Sequence, residues 1–314
     1  MGASEPQQLE AVVLGRVGVD LYPNELETPL SEVRTFTRFV GGFAGNVATG
    51  LARLGVRTAI ASRVGEDGHG DFVRRFLAGE GVDVRFLATD PDWLTPPTFC
   101  EIWPPDRFPL TFYRRPTAPD WQLSPDDFDL DEVAAVPLLF ATGTALAQSP
   151  SRETTLGAMR AHLGTTVFDL DWRPTLWARP EEYPALAAAA VAAADLVVGN
   201  EEEVAAAKID SAQLGTIDHR LVLKRGEHGA TVFEDGEETD VAGFPVEVVN
   251  GLGAGDAFAA ALGHGLLRGL STVEAVGRAT VAGALVAAQL ACSEAMPRLE
   301  ELERSLRDVS RTGT

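Results

Sequence analysis

Leu138-Leu-Phe-Ala141, Thr166-Val-Phe-Asp-Leu170 and Asp195-Leu-Val-Val-Gly199 are three short apolar runs. A stretch with helical spacing, near Arg152 to Leu163, lies between the first two, and an alanine-rich stretch ends before the third. Strands buried on both faces read as such runs, and their alternation with helices predicts an α/β fold: a mostly parallel sheet covered by helices on both sides. Working outward, Ala11-Val-Val-Leu-Gly15 reads as a strand running into Arg16-Val-Gly-Val-Asp20, which puts Asp20 near a strand's end. Asn46 to Leu54 reads as a helix stopped by Gly55, and Arg57 to Val64 as a strand ending at Gly65. Ala254 to Leu267, Thr272 to Leu290 and Leu299 to Arg307 carry helical patterns. The stretch from 98 to 115 differs. Thr98 to Trp103 and Pro109 to Arg114 flank a Pro-Pro-Asp-Arg turn, which predicts a hairpin; with residues of about 16–40 it forms a small β lid. One domain over 10–310 follows, with loose tails at 1–9 and 311–314.

Composition narrows the function. With 314 residues, 45% of them hydrophobic, the chain can bury one principal core without disulfides or a structural metal. A net charge of −20 opposes non-specific attraction to nucleic acid and to anionic membrane. The only cysteines, Cys100 and Cys292, lack metal-ligand spacing and read as reduced structural residues. There is no basic-then-apolar leader and no apolar run long enough to span a bilayer, so a cytoplasmic enzyme is expected.

Val249-Asn-Gly-Leu-Gly253-Ala-Gly255-Asp256 follows the strand-like Pro245 to Val249 and precedes a helix. Glycines there leave backbone amides open at a helix start, where unpaired N–H groups and the helix dipole favour phosphate. A carboxylate at that place would repel phosphate, so Asp256 reads better as a base that takes a proton from an attacking hydroxyl; the plainer alternative is a helix cap. The spacing is not that of a dinucleotide fingerprint, and the Gly-Lys-Ser/Thr of a P-loop is absent.

Three further stretches each admit two readings. Gly41-Gly42-Phe-Ala-Gly45-Asn46 lets backbone approach a polyhydroxylated ligand, or is a turn with Asn46 as helix N-cap. Lys224-Arg-Gly226-Glu-His-Gly229 is a loop over a nucleotide, or a turn with a solvated lysine; Lys224 is one of only two lysines in the chain. Asn200-Glu-Glu-Glu203 could hold hydrated Mg²⁺ through oxygen ligands, or is the acidic first turn of a helix.

Taken in this order, the pieces resemble the ribokinase-like, or PfkB, carbohydrate kinase family, from about residue 11 to residue 300. Gly41, Gly42, Ala44, Asn46, Ala48, Gly55 and Gly65 match its N-terminal signature, Gly253-Ala-Gly255-Asp256 its C-terminal one, and Asn200 with Glu203 its Asn-x-x-Glu motif. The resemblance implies a Rossmann-like α/β domain with a β lid, Asp256 as base and the amides of Ala254, Gly255 and Asp256, after Gly253, as an anion hole. It implies Mg·ATP as donor, bound near Asn200, Lys224, Gly226, Gly229, Gly253 and Gly255, with Mg²⁺ reached through water from Asn200 and Glu203. The sugar would meet Asp20, Gly41, Gly42, Asn46, Tyr113, Arg114, Arg173 and Asp256, and two copies would pair through the lid.

Gly15 to Pro23, Phe99 to Asp106, Phe168 to Pro174 and Cys292 to Pro297 look like a subgroup of myo-inositol catabolism whose acceptor is a 2-deoxy-5-keto aldonic acid. Phosphoryl transfer to its terminal hydroxyl is the expected reaction, with Arg114 and Arg173 reading the carboxylate. A 2-keto-3-deoxygluconate kinase, a fructokinase, and a non-catalytic sugar sensor on the same fold are the alternatives. Asn250-Gly251 stands where the family has an Asp-Thr pair that helps hold a monovalent cation, which leaves a K⁺ requirement open. Phe43, Gly45, Thr117 and Thr280 also depart from the common pattern.

Overall fold

The structure, a computed structural model, describes residues 8–210 and 220–312. The first part of the chain forms β1 (Ala11–Leu14), β2 (Gly18–Pro23), β3 (Phe36–Gly41), α1 (Phe43–Arg53), β4 (Thr58–Gly65), α2 (Gly68–Gly79) and β5 (Leu87–Asp90). Next come β6 (Pro97–Cys100), β7 (Leu110–Phe112), α3 (Leu130–Ala135), β8 (Leu138–Thr142), α4 (Ser151–Ala161), β9 (Thr165–Asp169) and α5 (Tyr183–Val191). The last part gives β10 (Leu196–Asn200), α6 (Glu201–Ala207), β11 (Arg220–Lys224), β12 (Ala230–Glu234) and β13 (Glu237–Val241). Helices α7 (Ala254–Leu267), α8 (Thr272–Ala287) and α9 (Leu299–Thr312) follow.

Nine strands make one sheet in the order β13-β12-β11-β10-β9-β8-β1-β4-β5, parallel from β5 to β11 and antiparallel at β12 and β13. Its central strands are apolar through their middles because both faces are covered. In β1, Ala11 and Val13 join the core with Val47 and Leu51 of α1 and Leu262 of α7, while Val12 and Leu14 face Leu156 and Met159 of α4 and Ala187 of α5. Each such side chain contributes about 1.5–3 kcal/mol by leaving water. A second sheet, β3-β2-β6-β7, lies where the lid was expected.

Several expectations need correction. Residues 245–249 form no strand; the amides of Val249 and Asn250 instead donate to the Ala287 carbonyl at the end of α8, at 2.9 and 3.0 Å. Helix α1 begins at Phe43, three residues early, because Gly42 (φ 88°) turns the chain and serves as N-cap; Asn46 is therefore inside the helix. Asp20 sits in the middle of β2. The hairpin strands are shorter than expected, and past Cys100 the chain holds only a bridge between Trp103 and Arg107. The expected loose tails fall largely on residues outside those described, yet Leu9 is buried and α9 runs to Thr312. No helix among the described residues is long and apolar enough to cross a membrane.

Helices α1 and α7 touch through small residues, and this contact positions the site. A Cβ on Gly50 would stand 2.6 Å from the Ala260 Cβ. One turn earlier on each helix are Asn46 and Asp256. Gly50→Ala is expected to destabilise by about 1–3 kcal/mol through overpacking and to lower kcat by separating that pair. Gly157→Ala on α4, where the added Cβ meets nothing within 4 Å, should instead be neutral or stabilising. Denaturant unfolding of the two variants checks the contrast.

Candidate active site

The carboxyl ends of the parallel strands are polar where their middles are apolar. Beyond β1 stands Arg16, at β8 Thr142 and Thr144, at β9 Asp169 and Asp171, at β10 Asn200 and at β11 Lys224. Open α/β sheets place ligands at this end.

Two signature glycines are required by what passes close to them. A Cβ on Gly41 would lie 2.0 Å from the Asp20 Cγ, and one on Gly42 would lie 2.5 Å from the Arg16 carbonyl oxygen. Burial pushes the Asp20 carboxyl up to about 6, although Arg16, the Thr98 hydroxyl and the Cys292 thiol favour its ionised form.

Asp256 lies in the first turn of α7, and Asn46 Nδ2 donates to its Oδ2 at 2.6 Å. It is not a cap, since no side chain caps this helix. Burial raises its carboxyl to about 7, against the pull of the Asn46 hydrogen bond; Asp171 and Asp169 add to the rise and Arg16 opposes it. Gly253 is left-handed (φ 84°) and Gly255 is open: a Cβ there would meet only Lys224 Nζ, at 3.7 Å. The amide of Ala254 is 3.4 Å from the Gly251 carbonyl, a poor hydrogen bond. As second and third residues of the helix, Gly255 and Asp256 have no intrahelical acceptor for their amides.

Beside this helix start is a network of alternating charge. Lys224 Nζ donates to Asp169 Oδ2 at 3.1 Å and lies 3.8 Å from Glu203 Oε2. Arg173 reaches Asp171 at 3.2 Å and Glu203 at 3.3 Å. Asp171 has a positive φ of 33° and accepts from Thr142 and Thr144 at 3.0 and 2.7 Å. Burial raises Asp169 to about 6 despite Lys224. Burial would likewise raise Asp171, but Arg173, Arg16 and the two threonines outweigh it and hold the carboxyl low. The Lys224 ammonium is lowered by burial and raised more by Asp169 and Glu203, so it stays charged.

The other predicted residues divide. Asn200 and Glu203 form a reciprocal capping box at the start of α6, both bonds 2.8 Å. Lys224 belongs to the charged network and is not a solvated turn lysine. Gly226 (φ 57°) and Gly229 (φ 88°) shape the tight turn between β11 and β12. Arg114 does not line a cleft: its side chain is 3% exposed, pairs with Asp120 and stacks over Trp121 at 4.4 Å. The other Asp120 oxygen accepts the Val17 amide at 3.0 Å, so this ion pair holds the turn after β1. Tyr113 is 59% exposed and packs on Phe99 at 5.3 Å. Thr117 bonds to Gln148 and Gln122, and Thr280 to the Gly277 carbonyl. Asn250 is buried and caps its own turn through Leu252. Arg16, Thr142, Thr144, Asp169 and Asp171 were missed as site residues. Acids at and just past the end of a buried strand were the available signal for Asp169 and Asp171.

A helix start with open amides, a carboxylate held by an asparagine from another helix, and a small sheet presenting a second carboxylate fit a kinase of small polyhydroxylated molecules. The chain belongs to the pfkB family of carbohydrate kinases, whose model matches residues 8–299. It is an ATP-dependent carbohydrate kinase. Among its relatives is the 5-dehydro-2-deoxygluconokinase of Clostridium tetani, 33% identical over 322 residues, covering 97% of this chain and 94% of the relative. The enzyme of that name from Geobacillus kaustophilus is 34% identical, covering 96% and 94%. A sugar kinase from Pyrococcus horikoshii, solved in complex with ATP, superposes with a TM-score of 0.82 at 27% identity, covering 94% of this chain and 97% of that one.

Proposed function

We propose that this kinase transfers the γ-phosphoryl group of ATP to the terminal hydroxyl of 5-dehydro-2-deoxy-D-gluconate, giving the 6-phosphate. The observation that carries the mechanism is the Asp256 carboxyl, raised to about 7 and held by Asn46 beside unpartnered helix amides. A base poised near neutral pH accepts the hydroxyl proton as the new O–P bond forms, and the scissile O–P bond leaves its electron pair on ADP. The amides of Gly255 and Asp256 face the charge that spreads over the transferred group, and the nearby Lys224 adds a fixed cation. Asp20 on the small sheet takes acceptor hydroxyls. The relatives' names support the choice of acid over a neutral sugar.

Mg²⁺ would be reached through water from Asn200 and Glu203, whose carboxylate lies in the charged network with Lys224 and Arg173, and when bound it would neutralise phosphate charge. Glu203→Gln preserves the capping box, since Gln serves there as well as Glu, yet removes the negative charge. Arg173 and Lys224 each lose one carboxylate partner but keep another, Asp171 and Asp169, so the melting temperature should fall modestly while the Mg²⁺ concentration for half-maximal rate rises. An unchanged Mg²⁺ titration would leave Glu203 a capping residue alone.

The reaction is tested by following ADP release with 5-dehydro-2-deoxygluconate, 2-keto-3-deoxygluconate and fructose. The first should give the highest kcat/KM. A higher value for either of the others reassigns the acceptor, and no turnover with any sugar would favour a sensor.

A further inference from the structure

The site holds five carboxylates, those of Asp20, Asp169, Asp171, Glu203 and Asp256, so an anionic acceptor enters against their field unless a cation meets it. Most nearby cations are already engaged. Lys224 is taken by Asp169, Arg173 by Asp171 and Glu203, and Arg114 by Asp120. Arg16 is different. It makes no ion pair among the described residues; its Nε, like that of Arg114, is buried without a hydrogen-bond acceptor, but Arg114 has Asp120 as its carboxylate partner and Arg16 has none.

Its position is fixed by the backbone on both sides. The Arg16 carbonyl accepts the Ala44 amide at 3.0 Å, and the next amide, of Val17, is held by Asp120. The guanidinium lies over the Phe112 ring, 5.4 Å from its centroid, on the last residue of β7. The Arg16 backbone passes against Gly42 as the Asp20 side chain passes against Gly41, and the guanidinium charge favours the ionised forms of Asp20, Asp171 and Asp256. A buried Nε donor left unused on a half-buried arginine is unfavourable in the free protein unless a ligand supplies the acceptor. A carboxylate does so with two oxygens in the geometry of the fork; a neutral hydroxymethyl group does not.

We propose that Arg16 reads the carboxylate of the acceptor: its guanidinium pairs with the acid end while Asp20 holds the hydroxyls and Asp256 meets the terminal hydroxyl. This rests on the sugar-acid reading above and replaces Arg114 and Arg173 in that role. The ion pairs of those two are internal to the protein, so they position other residues of the site.

The test compares kcat/KM for 5-dehydro-2-deoxygluconate and for fructose in wild type, Arg16→Gln and Arg16→Lys, with melting temperature and ATP affinity measured alongside. Loss of one charged hydrogen-bonded pair should lower kcat/KM for the acid about 10- to 100-fold in Arg16→Gln, mainly through KM. Fructose should change less than about threefold, and Arg16→Lys should recover part of the acid's loss. A folded Arg16→Gln that keeps the wild-type acid-to-fructose ratio, or loses both acceptors equally, overturns the proposal. If Arg16→Gln does not fold, Arg16→Met, which keeps the stem over Phe112, takes the same measurement with the same outcomes. A wild type that already shows no preference for the acid defeats the sugar-acid reading and this proposal with it; a wild-type preference that survives in the variant defeats Arg16 alone.

Discussion

Asp256→Asn is expected to lower kcat by at least about 10²-fold while ATP binding stays nearly unchanged, the usual scale for loss of a general base. The amide is nearly the same size and can keep a hydrogen bond to Asn46, so the α1–α7 contact through Gly50 and Ala260 should survive. Only the ability to take the proton is lost. The variant should also be more stable near neutral pH. In the wild type the carboxyl is raised by burial from an ordinary value of 3.8 to about 7, so the folded state holds this proton more tightly than the unfolded chain. Stability from this group is therefore full below about pH 4, falls as pH rises towards 7, and levels off above. Asp256→Asn has no such dependence. Turnover within about tenfold of wild type would remove Asp256 from its role.

The second large effect is expected from Asn46→Ala. The Asn46 hydrogen bond is the main influence favouring the ionised form of Asp256, opposing burial. With ionised Asp256 as the proposed base, kcat/KM for the acceptor should climb with pH along a limb centred near 7 in the wild type. Deleting the donor should move that limb upward by about one to two pH units, the scale of a hydrogen bond to a charged group. At pH 7 the rate then falls about tenfold or more, and much of it returns at higher pH. Asp20 and Asp169 titrate lower, at about 6, and neither is bonded to Asn46. A limb that stays in place in Asn46→Ala would thus belong to one of them. The melting temperature should change little, since the substitution also removes a buried oxygen, Asn46 Oδ1, that has no partner among the described residues.

Much of this molecule was legible in its sequence. Strands buried on both faces are apolar on both sides of their middles, so Leu138–Thr142, Thr165–Asp169 and Leu196–Asn200 announced themselves, and the helices between them dictated a parallel sheet. Gly253 to Asp256 marked a helix start because a left-handed glycine and an uncapped turn are properties of a few consecutive residues. The strand expected at 245–249 failed for the opposite reason: its apolar alternation is local, but no strand of either sheet pairs with it, and the Val249 amide is satisfied by the end of α8. Asn46 looked like a cap from its neighbours and proved to be a ligand of a carboxylate 210 residues away.

The sequence by itself determined most of the elements and the kind of sheet they form, and it put Asp256 forward as the base. Those follow from short-range rules of periodicity, backbone freedom and helix ends. The tertiary structure alone decided which charges are spent on one another. Arg114, Arg173 and Arg16 are equivalent as letters; Asp120 claims the first, Asp171 and Glu203 the second, and the third is left unpaired at the site. Pairing depends on distances of a few ångströms between side chains far apart in the chain, and Coulomb energy in a desolvated site changes steeply over such distances.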